Sequence, residues 1–211
     1  MKKIITVDGP AGSGKEKISR YIARKYKLYH LDSGILYRRL AYELSKKNIE
    51  TFEVHKIKRV IENIQKLSLI KTQALRKEQI GKAASEIAQL DFVRYFINSQ
   101  QILATKTLNK KKGFVIDGRD IGSVVFRSAF LKLYIDVDVN IRAKRRYKQL
   151  IDTGEKSIYR KILKDIKLRD KKDKSRKNSP LVMPKGAWVI DNSKSFKNTT
   201  AQICRIIESI N

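Results

Sequence analysis

A chain of 211 residues is long enough for one α/β domain and can bury well over half of the surface that its unfolded form exposes. The single cysteine, Cys204, excludes an internal disulfide and a cysteine-based metal cluster, as is typical of proteins in a reducing cytoplasm. The net charge of +27 by itself indicates a polyanionic partner, but 32 lysines against 16 arginines are spread along the whole chain, which favours solvated helix faces.

Targeting and membrane signals are not found in this sequence. No apolar stretch reaches the roughly 18 residues that a membrane span needs, and the first strand-like run begins without the charged lead and apolar segment of a signal peptide. We therefore expect a soluble cytoplasmic protein with no membrane partner. Two basic runs stand out, residues 110–112 and 169–177, but nucleic acid is not predicted as the main partner.

Short apolar runs alternate with longer helical patterns, which predicts an α/β fold with parallel strands joined by crossover helices. The predicted strands are Ile4–Val7, Lys27–Leu31, Phe114–Ile116, Leu131–Ile135 and Ala187–Ile190. Helices are predicted after the first strand, over Ile141–Leu150 and over Thr199–Ile210. Residues 39–99 predict polar helices around a small hairpin near Leu67–Leu75, and residues 152–180 predict a mobile helical flap.

The stretch "GPAGSGK" follows the first predicted strand and precedes a predicted helix. Glycines at this spacing let the backbone N–H groups converge on phosphate oxygens, and the helix dipole adds partial positive charge there. Lys15 at the end of the stretch would reach the β- and γ-phosphates of a nucleotide. Such loops usually supply Ser or Thr next, as a magnesium ligand, whereas this chain has Glu16 and Lys17. The alternative is a glycine turn beside a chance lysine.

Four further stretches carry polar residues that could form a site. They are "LDSGILYR" at 31–38, "AASEIAQLDFVR" at 83–94, "DGRDIG" at 117–122 and "LRDKKDKSRKNSPL" at 168–181. Because the carboxyl ends of parallel strands share one edge of a sheet, we expect Asp32, Ser33, Arg119 and Asp120 to lie near the phosphate loop. Taken singly, Asp32 and Ser33 could equally begin a helix, and Arg169 and Asp170 could lie on a solvated helix face.

In this order the five motifs resemble the bacterial cytidylate kinases, members of the nucleoside monophosphate kinase group, over nearly the whole chain. The resemblance implies a P-loop NTPase-like fold with a five-stranded parallel sheet flanked by helices. It also implies a single domain, with a core at about 1–38, 100–151 and 181–211, a monophosphate-binding insertion at about 39–99 and a lid at about 152–180. The implied reaction transfers a phosphoryl group from Mg-ATP to CMP or dCMP.

The resemblance also implies site residues, carried over position by position. ATP would be bound by Gly9, Pro10, Ala11, Gly12, Ser13, Gly14, Lys15, Glu16, Lys17, Arg142 and Arg145, with Arg146 as either a further ATP-side arginine or a surface residue. CMP would be bound by Asp32, Ser33, Tyr37, Arg38, Ser85, Arg94, Arg119, Asp120 and Asp173, although Tyr37 could equally be a core residue. Catalysis and lid closure would involve Lys15, Arg169, Asp170 and Arg176, the two arginines pointing from one face of a lid helix.

Two hypotheses from different classes remain open. The first is an active cytidylate kinase that uses Mg²⁺ with ATP, with Glu16 as the one candidate metal ligand and a monomer as the expected state. The second is a catalytically weakened relative that uses its basic surface to bind RNA or another anionic partner. A kinase for another monophosphate is disfavoured by the serine and arginine set. His30 and His55 are isolated in the sequence and are interpreted as structural or surface residues.

Overall fold

A computed structural model describes residues 3–108 and 112–210, so Lys110 and Lys111 of the first basic run lie outside the described residues. Its strands are β1 (Lys3–Asp8), β2 (Tyr29–Asp32), β3 (Gly113–Gly118), β4 (Leu131–Asp136) and β5 (Trp188–Asp191). Its α-helices are α1 (Lys15–Lys25), α2 (Ser33–Lys46), α3 (Val54–Glu62), α4 (Glu78–Ile87), α5 (Asp91–Thr107), α6 (Val139–Asp152), α7 (Tyr159–Lys174) and α8 (Phe196–Ser209). A 3₁₀ turn covers Gln73–Arg76 and a one-turn π-helix covers Ile121–Val125.

The five strands form one sheet in the order β2-β3-β1-β4-β5, which confirms the predicted α/β class. β1 pairs in parallel with β3 and with β4, and β4 pairs in parallel with β5. The registers bring Asp8 beside Gly118 and Asp136 beside Asp191, so these strands end at the same edge. The predicted second strand begins two residues late, at Tyr29, because the chain leaves α1 through Lys27 at φ 54°.

The chain divides into two compact units, residues 1–30 with 110–211 and residues 31–109. In the first unit, apolar side chains of the sheet pack against α1 and α8. This core includes Val7, Ile18, Leu133 and Ile203, all of them fully buried. Ile18 and Ile22 are one helical turn apart, which is why α1 presents one apolar face to the sheet.

The second unit is built from α2 to α5 around its own core. Leu36, Leu40, Ile57, Leu75 and Ile97 are among its buried side chains. The predicted hairpin near 67–75 is wrong. Residues 66–72 form no strand and are followed by the 3₁₀ turn, because side chains take the place of a partner strand.

Gln100 of α5 is one of the side chains that replace the missing strand partner. It is 7% exposed, its Oε1 accepts a hydrogen bond from the Leu67 N–H at 2.9 Å, and its Nε2 donates to the Gln65 carbonyl at 3.1 Å. We expect Gln100→Ala to lower the free energy of unfolding by about 1–3 kcal/mol, because both backbone groups lose their partner. Urea unfolding followed by circular dichroism measures this change.

The exposed Gln79 of α4 is the matched control for this stability test. Gln79→Ala should change the free energy of unfolding by less than about 0.5 kcal/mol. Equal stabilities for the two variants would contradict the bridging role of Gln100.

The flap contains α7, but this helix ends earlier than predicted. Lys174 is its last residue, so Arg169 and Arg176 do not both point from one helix. After Ser175 the chain turns back, and the Leu181 N–H donates to the Asp173 carbonyl at 2.7 Å. Within residues 3–108 and 112–210, every helix is too short or too polar to cross a membrane.

Candidate functional site

The glycine-rich loop at residues 9–14 joins β1 to α1, as the sequence predicts. Gly14 has φ 85°, a left-handed conformation that favours glycine, and a Cβ there would lie 2.7 Å from Asn192 Nδ2. A Cβ on Gly9 would lie 2.5 Å from the Ile135 carbonyl oxygen. At Gly9 and Gly14 the loop therefore lies so close to β4 and to the residue after β5 that neither position has room for a side chain.

Lys15 is buried at the start of α1, 6% exposed. Its Nζ donates to the Pro10 carbonyl at 2.6 Å and to Ser13 Oγ at 3.2 Å, so the ammonium group lies across the loop. Burial, followed by the charge of Arg119, lowers the pKa of Lys15 well below its usual range. The chain thus places a cation in a desolvated position at the loop, where it can contact phosphate.

The loop is also held from the carboxyl end of β5 by Asn192, which sequence reasoning missed. Asn192 Nδ2 donates to the Ser13 carbonyl at 2.8 Å, and its Oδ1 accepts from Thr199 Oγ1 at 2.7 Å. Next to it, Arg145 Nη2 donates to the carbonyls of Ser193 and Lys194 at 3.3 and 3.1 Å. Arg145 therefore contacts the segment that leads from β5 to α8.

Arg142 and Asp170 form an ion pair against the phosphate loop, in which the Arg142 side chain is buried and the Asp170 side chain is partly buried. Arg142 Nη1 lies 2.6 Å from Asp170 Oδ2 and donates to the Ala11 carbonyl at 2.9 Å. Asp170 Oδ1 in turn accepts the Ala11 N–H at 3.2 Å. Asp170 is on α7, so a carboxylate of the flap contacts the backbone of the loop directly. Arg146, by contrast, is exposed and donates to Gln149 on its own helix at 3.1 Å.

A second group of charges joins the flap to the turn after β3. Asp173 accepts from Arg119 Nε and from Arg176 Nη2, both at 3.0 Å. Burial alone would raise the pKa of Asp173, but Arg119, Arg176 and Arg169 together lower it below its usual value. The predicted lid residues Arg169 and Arg176 are thus brought together with Arg119 around one ionised carboxylate.

Two further acidic residues at this edge are buried and paired. Asp8, the last residue of β1, accepts the backbone N–H groups of Ile121 and Gly122. Asp117 of β3 lies 2.5 Å from His30 Nε2, which gives the isolated histidine of the sequence a structural partner. Neither pair was found from the sequence, since its members are far apart along the chain.

Asp120, predicted to bind CMP, is 4% exposed and directly precedes Ile121.

Glu16 and Lys17, the two unusual residues, point to separate partners. Glu16 Oε1 lies 2.5 Å from Arg20 Nη2, one turn further along α1, and its side chain is 50% exposed. Lys17 Nζ lies 4.3 Å from the centre of the Phe196 ring. Among residues 3–108 and 112–210, no three acidic, histidine or cysteine side chains form a cluster that could hold a metal.

In the second unit, Tyr37 of α2 and Arg94 of α5 lie together. The Arg94 guanidinium is 5.8 Å from the centre of the Tyr37 ring, and its Nη1 donates to the Ala88 carbonyl at 3.1 Å. Arg94 is 3% exposed. A buried guanidinium against an aromatic ring is held in one orientation, which suits an arginine that receives an anion.

The other predicted CMP residues of this unit lie on α2 and α4. Arg38 Nη1 donates to the Leu75 carbonyl at 2.8 Å, and its Nη2 lies 2.8 Å from the place where a Cβ on Gly81 would stand. Ser85 follows Gly81 by one turn of α4. Asp32, which precedes α2, forms an ion pair with Lys71 at 2.9 Å, while Ser33 is 5% exposed.

The fold and the phosphate loop define a class: a nucleotide-binding kinase of the P-loop type. A family model described as cytidylate kinase matches residues 5–210. Cytidylate kinase from Bartonella bacilliformis is 36% identical over 212 residues, which cover 98% of this chain and 95% of the relative. Cytidylate kinase from Rickettsia conorii is 41% identical over 190 residues, 90% of this chain and 84% of the relative. The chain belongs to the cytidylate kinase family, and it is an enzyme that phosphorylates nucleoside monophosphates.

The solved structures add a likeness of fold alone. The crystal structure of TT1252 from Thermus thermophilus has a TM-score of 0.53 at 13% identity, covering 100% of this chain and 98% of that one.

Proposed function

We propose that this enzyme transfers the γ-phosphoryl group of Mg-ATP to the phosphate of CMP or dCMP, giving ADP and CDP or dCDP. The observation that carries the proposal is the buried Lys15 ammonium across the phosphate loop, within a chain whose family is cytidylate kinase. Phosphoryl transfer between two held oxygens needs alignment and charge neutralisation rather than a nucleophilic side chain. The lysine and arginine side chains of the candidate site would serve both alignment and charge neutralisation.

On the donor side, residues 9–17 would hold the ATP phosphates. Backbone N–H groups at the start of α1 point toward that end of the helix, and Lys15 is already desolvated there. Arg142 and Arg145 would act beside them, since Arg142 contacts the loop and Arg145 contacts the segment after β5. Lys15 would change partner, from the Pro10 carbonyl and Ser13 Oγ to the transferred phosphoryl group.

On the acceptor side, the resemblance assigns CMP to Asp32, Ser33, Tyr37, Arg38, Ser85, Arg94, Arg119, Asp120 and Asp173. The arginines would bind the phosphate and the sugar end, because a guanidinium makes paired, charge-assisted bonds to phosphate oxygens. Ser33, Ser85 and Asp120 would read the cytosine and the sugar. The packing of Arg94 on Tyr37 supports this role, since it orients the guanidinium before CMP binds.

The flap would act as the lid of the reaction. Arg169 and Arg176 would neutralise charge on the transferred group, and Asp170 and Asp173 would orient them and their neighbours. The contact of Asp170 with the Ala11 N–H and with Arg142 supports the proposal that α7 and the loop act together. A closed lid excludes water that would otherwise hydrolyse ATP.

Mg²⁺ would enter with ATP and, when bound, neutralise part of the phosphate charge. Mg²⁺ commonly keeps several waters and takes one or two carboxylates besides the substrate phosphates, so a single half-exposed carboxylate is a donor set that fits. Glu16 would be that ligand, but its carboxylate is paired with Arg20 and would have to leave this partner. We therefore expect an active enzyme with a raised magnesium requirement.

The pair change Glu16→Gly with Lys17→Thr tests this expectation. The added hydroxyl at position 17 should lower the magnesium concentration needed for half-maximal rate, while the KM for CMP stays nearly unchanged. A magnesium titration of CMP phosphorylation at saturating ATP measures the first value, and a CMP titration at saturating Mg-ATP measures the second. The matched control is Glu155→Gly with Lys156→Thr, which removes the same adjacent charges from an exposed segment. A natural enzyme inactive at every magnesium level, beside an active pair variant, would mark the site as disabled.

The substrate is tested by comparing CMP and dCMP with UMP, AMP and dTMP as acceptors of Mg-ATP. We expect kcat/KM to be highest for CMP or dCMP. A higher value for another monophosphate would contradict the proposed acceptor. Submicromolar RNA binding at physiological salt together with no turnover would favour a weakened relative that binds an anionic partner.

A further inference from the structure

The carboxylate of Asp8 is a buried ionisable group that the proposed reaction does not use. Asp8 ends β1, directly before the phosphate loop, and is 0% exposed. Its Oδ1 accepts the Ile121 N–H at 2.8 Å and its Oδ2 accepts the Gly122 N–H at 2.7 Å. Both oxygens are thus bonded to successive amides of the turn after β3, residues 119–125, which includes the one-turn π-helix. This turn lies more than a hundred residues away in the sequence.

The turn lies directly against β1, with no room for a side chain at Gly122. A Cβ there would lie 2.6 Å from Thr6 Oγ1 and 3.1 Å from Asp8 Oδ2. On its other side, the Asp120 carbonyl accepts the Val124 N–H at 2.9 Å. The backbone from Asp120 onward is therefore held at both ends of the turn, and Asp8 supplies the bonds on the β1 side.

We propose that Asp8 is a positioning residue for the acceptor: by holding the amides of Ile121 and Gly122, it sets the placement of Arg119 and Asp120. This inference rests on the proposed function, in which those two residues contact CMP. In that function Asp8 itself contacts neither nucleotide. It joins the strand that leads into the ATP loop to the turn that carries acceptor residues.

Keeping both bonds requires an ionised carboxylate, because a protonated carboxyl retains its carbonyl oxygen as an acceptor but turns the O–H of its other oxygen toward a backbone N–H. The titratable groups that face Asp8 are Lys15 of α1, Asp120 of the turn and Tyr134 of β4. Burial raises the pKa of Asp8 to about 6, although the two backbone bonds and Lys15 oppose the rise. As the pH falls through about 6, Asp8 takes up a proton and the turn loses one of its two acceptors.

The direction in which ionised Asp8 changes the free energy of unfolding distinguishes a positioning role from a purely structural one. A carboxyl whose folded pKa is raised adds stability that is fully present below its ordinary value near 3.8 and is lost as the pH rises through about 6. Ionised Asp8 therefore costs stability at neutral pH while it holds the turn. We expect Asp8→Asn to weaken acceptor binding at pH 7.5 without a matching loss of thermal stability.

The first test follows the amides of Ile121 and Gly122 by NMR in the enzyme without nucleotide. Both proton shifts should titrate with one inflection near pH 6 in the unchanged enzyme and lose it in Asp8→Asn. Asp136→Asn, an exposed carboxylate at the end of the neighbouring strand β4, should leave the inflection in place. If Asp8→Asn does not fold, the titration of the two amides in the unchanged enzyme is a sufficient test by itself. The proposal would be overturned if neither amide of the unchanged enzyme titrated near pH 6.

The second test is kinetic and addresses the acceptor. Asp8→Asn should raise the KM for CMP about tenfold, which corresponds to one weakened charge-assisted contact, and change the KM for ATP by less than about twofold. The CMP phosphate also ionises near pH 6. Dividing the kcat/KM of the unchanged enzyme by that of Asp8→Asn at each pH cancels the contribution of the CMP phosphate. This quotient should fall as the pH drops below about 6. An unchanged KM for CMP would overturn the positioning role, whereas an unchanged enzyme that does not phosphorylate CMP would contradict the proposed function.

Discussion

Replacing Lys15 with Met is expected to lower kcat by about 10²- to 10³-fold, the usual effect of losing one preorganised electrostatic donor. The ammonium is desolvated before ATP arrives, so its interaction with a developing phosphoryl charge is not screened by water. The apolar Met has a similar volume and also removes the bonds to Pro10 and Ser13. Steady-state rates at saturating Mg-ATP and CMP measure the effect.

Lys106→Met is the matched control for this change, since Lys106 is an exposed lysine of α5. Its kcat should equal that of the unchanged enzyme. A Lys15→Met enzyme that retained more than about a tenth of kcat would contradict the assignment of Lys15 to the transferred phosphoryl group.

Replacing Arg94 or Arg119 with Ala is expected to weaken CMP binding much more than ATP binding. Each guanidinium would lose charge-assisted bonds worth about 1.5–3 kcal/mol, which corresponds to a roughly 10- to 150-fold rise in the KM for CMP. Arg119→Ala also leaves Asp173 with fewer cations, so its pKa should move back toward the ordinary value. Steady-state kinetics with each substrate varied in turn separate the two KM values.

Two exposed arginines serve as controls, Arg59 for the second unit and Arg127 for the first. Their Ala variants should leave both KM values unchanged. If the KM for CMP stayed the same in Arg94→Ala and in Arg119→Ala, the acceptor assignment would be wrong.

The sheet was predictable because its strands are short apolar runs that alternate with helical patterns, and Val7, Ile116 and Leu133 are all fully buried. The hairpin near Leu67 was not predictable in the same way. An apolar alternation there fits a strand, whereas in the structure the side chain of Gln100, thirty-three residues away, bonds the backbone at Leu67 instead. The end of α7 was missed because Arg176 suits a helix by spacing, whereas the chain turns to bond Asp173 with Leu181.

The site was predictable where its residues form local motifs. The phosphate loop needs glycines at fixed spacing, so a motif of seven adjacent residues predicts its conformation. The family match supports that interpretation. Asp8 and Asn192 have no such signal, because their partners, Gly122 and Ser13, are 114 and 179 residues away along the chain. The nucleotide contacts themselves stay predictions.

The separate cores of the two units have a thermodynamic consequence. Each unit buries its own apolar side chains, so unfolding need not be one cooperative transition. The only tryptophan of the chain, Trp188, lies on β5 in the first unit. Its fluorescence therefore reports the melting of that unit, while circular dichroism also records the helices of the other. A midpoint that depends on the probe would mean that a single free energy of unfolding does not describe this enzyme.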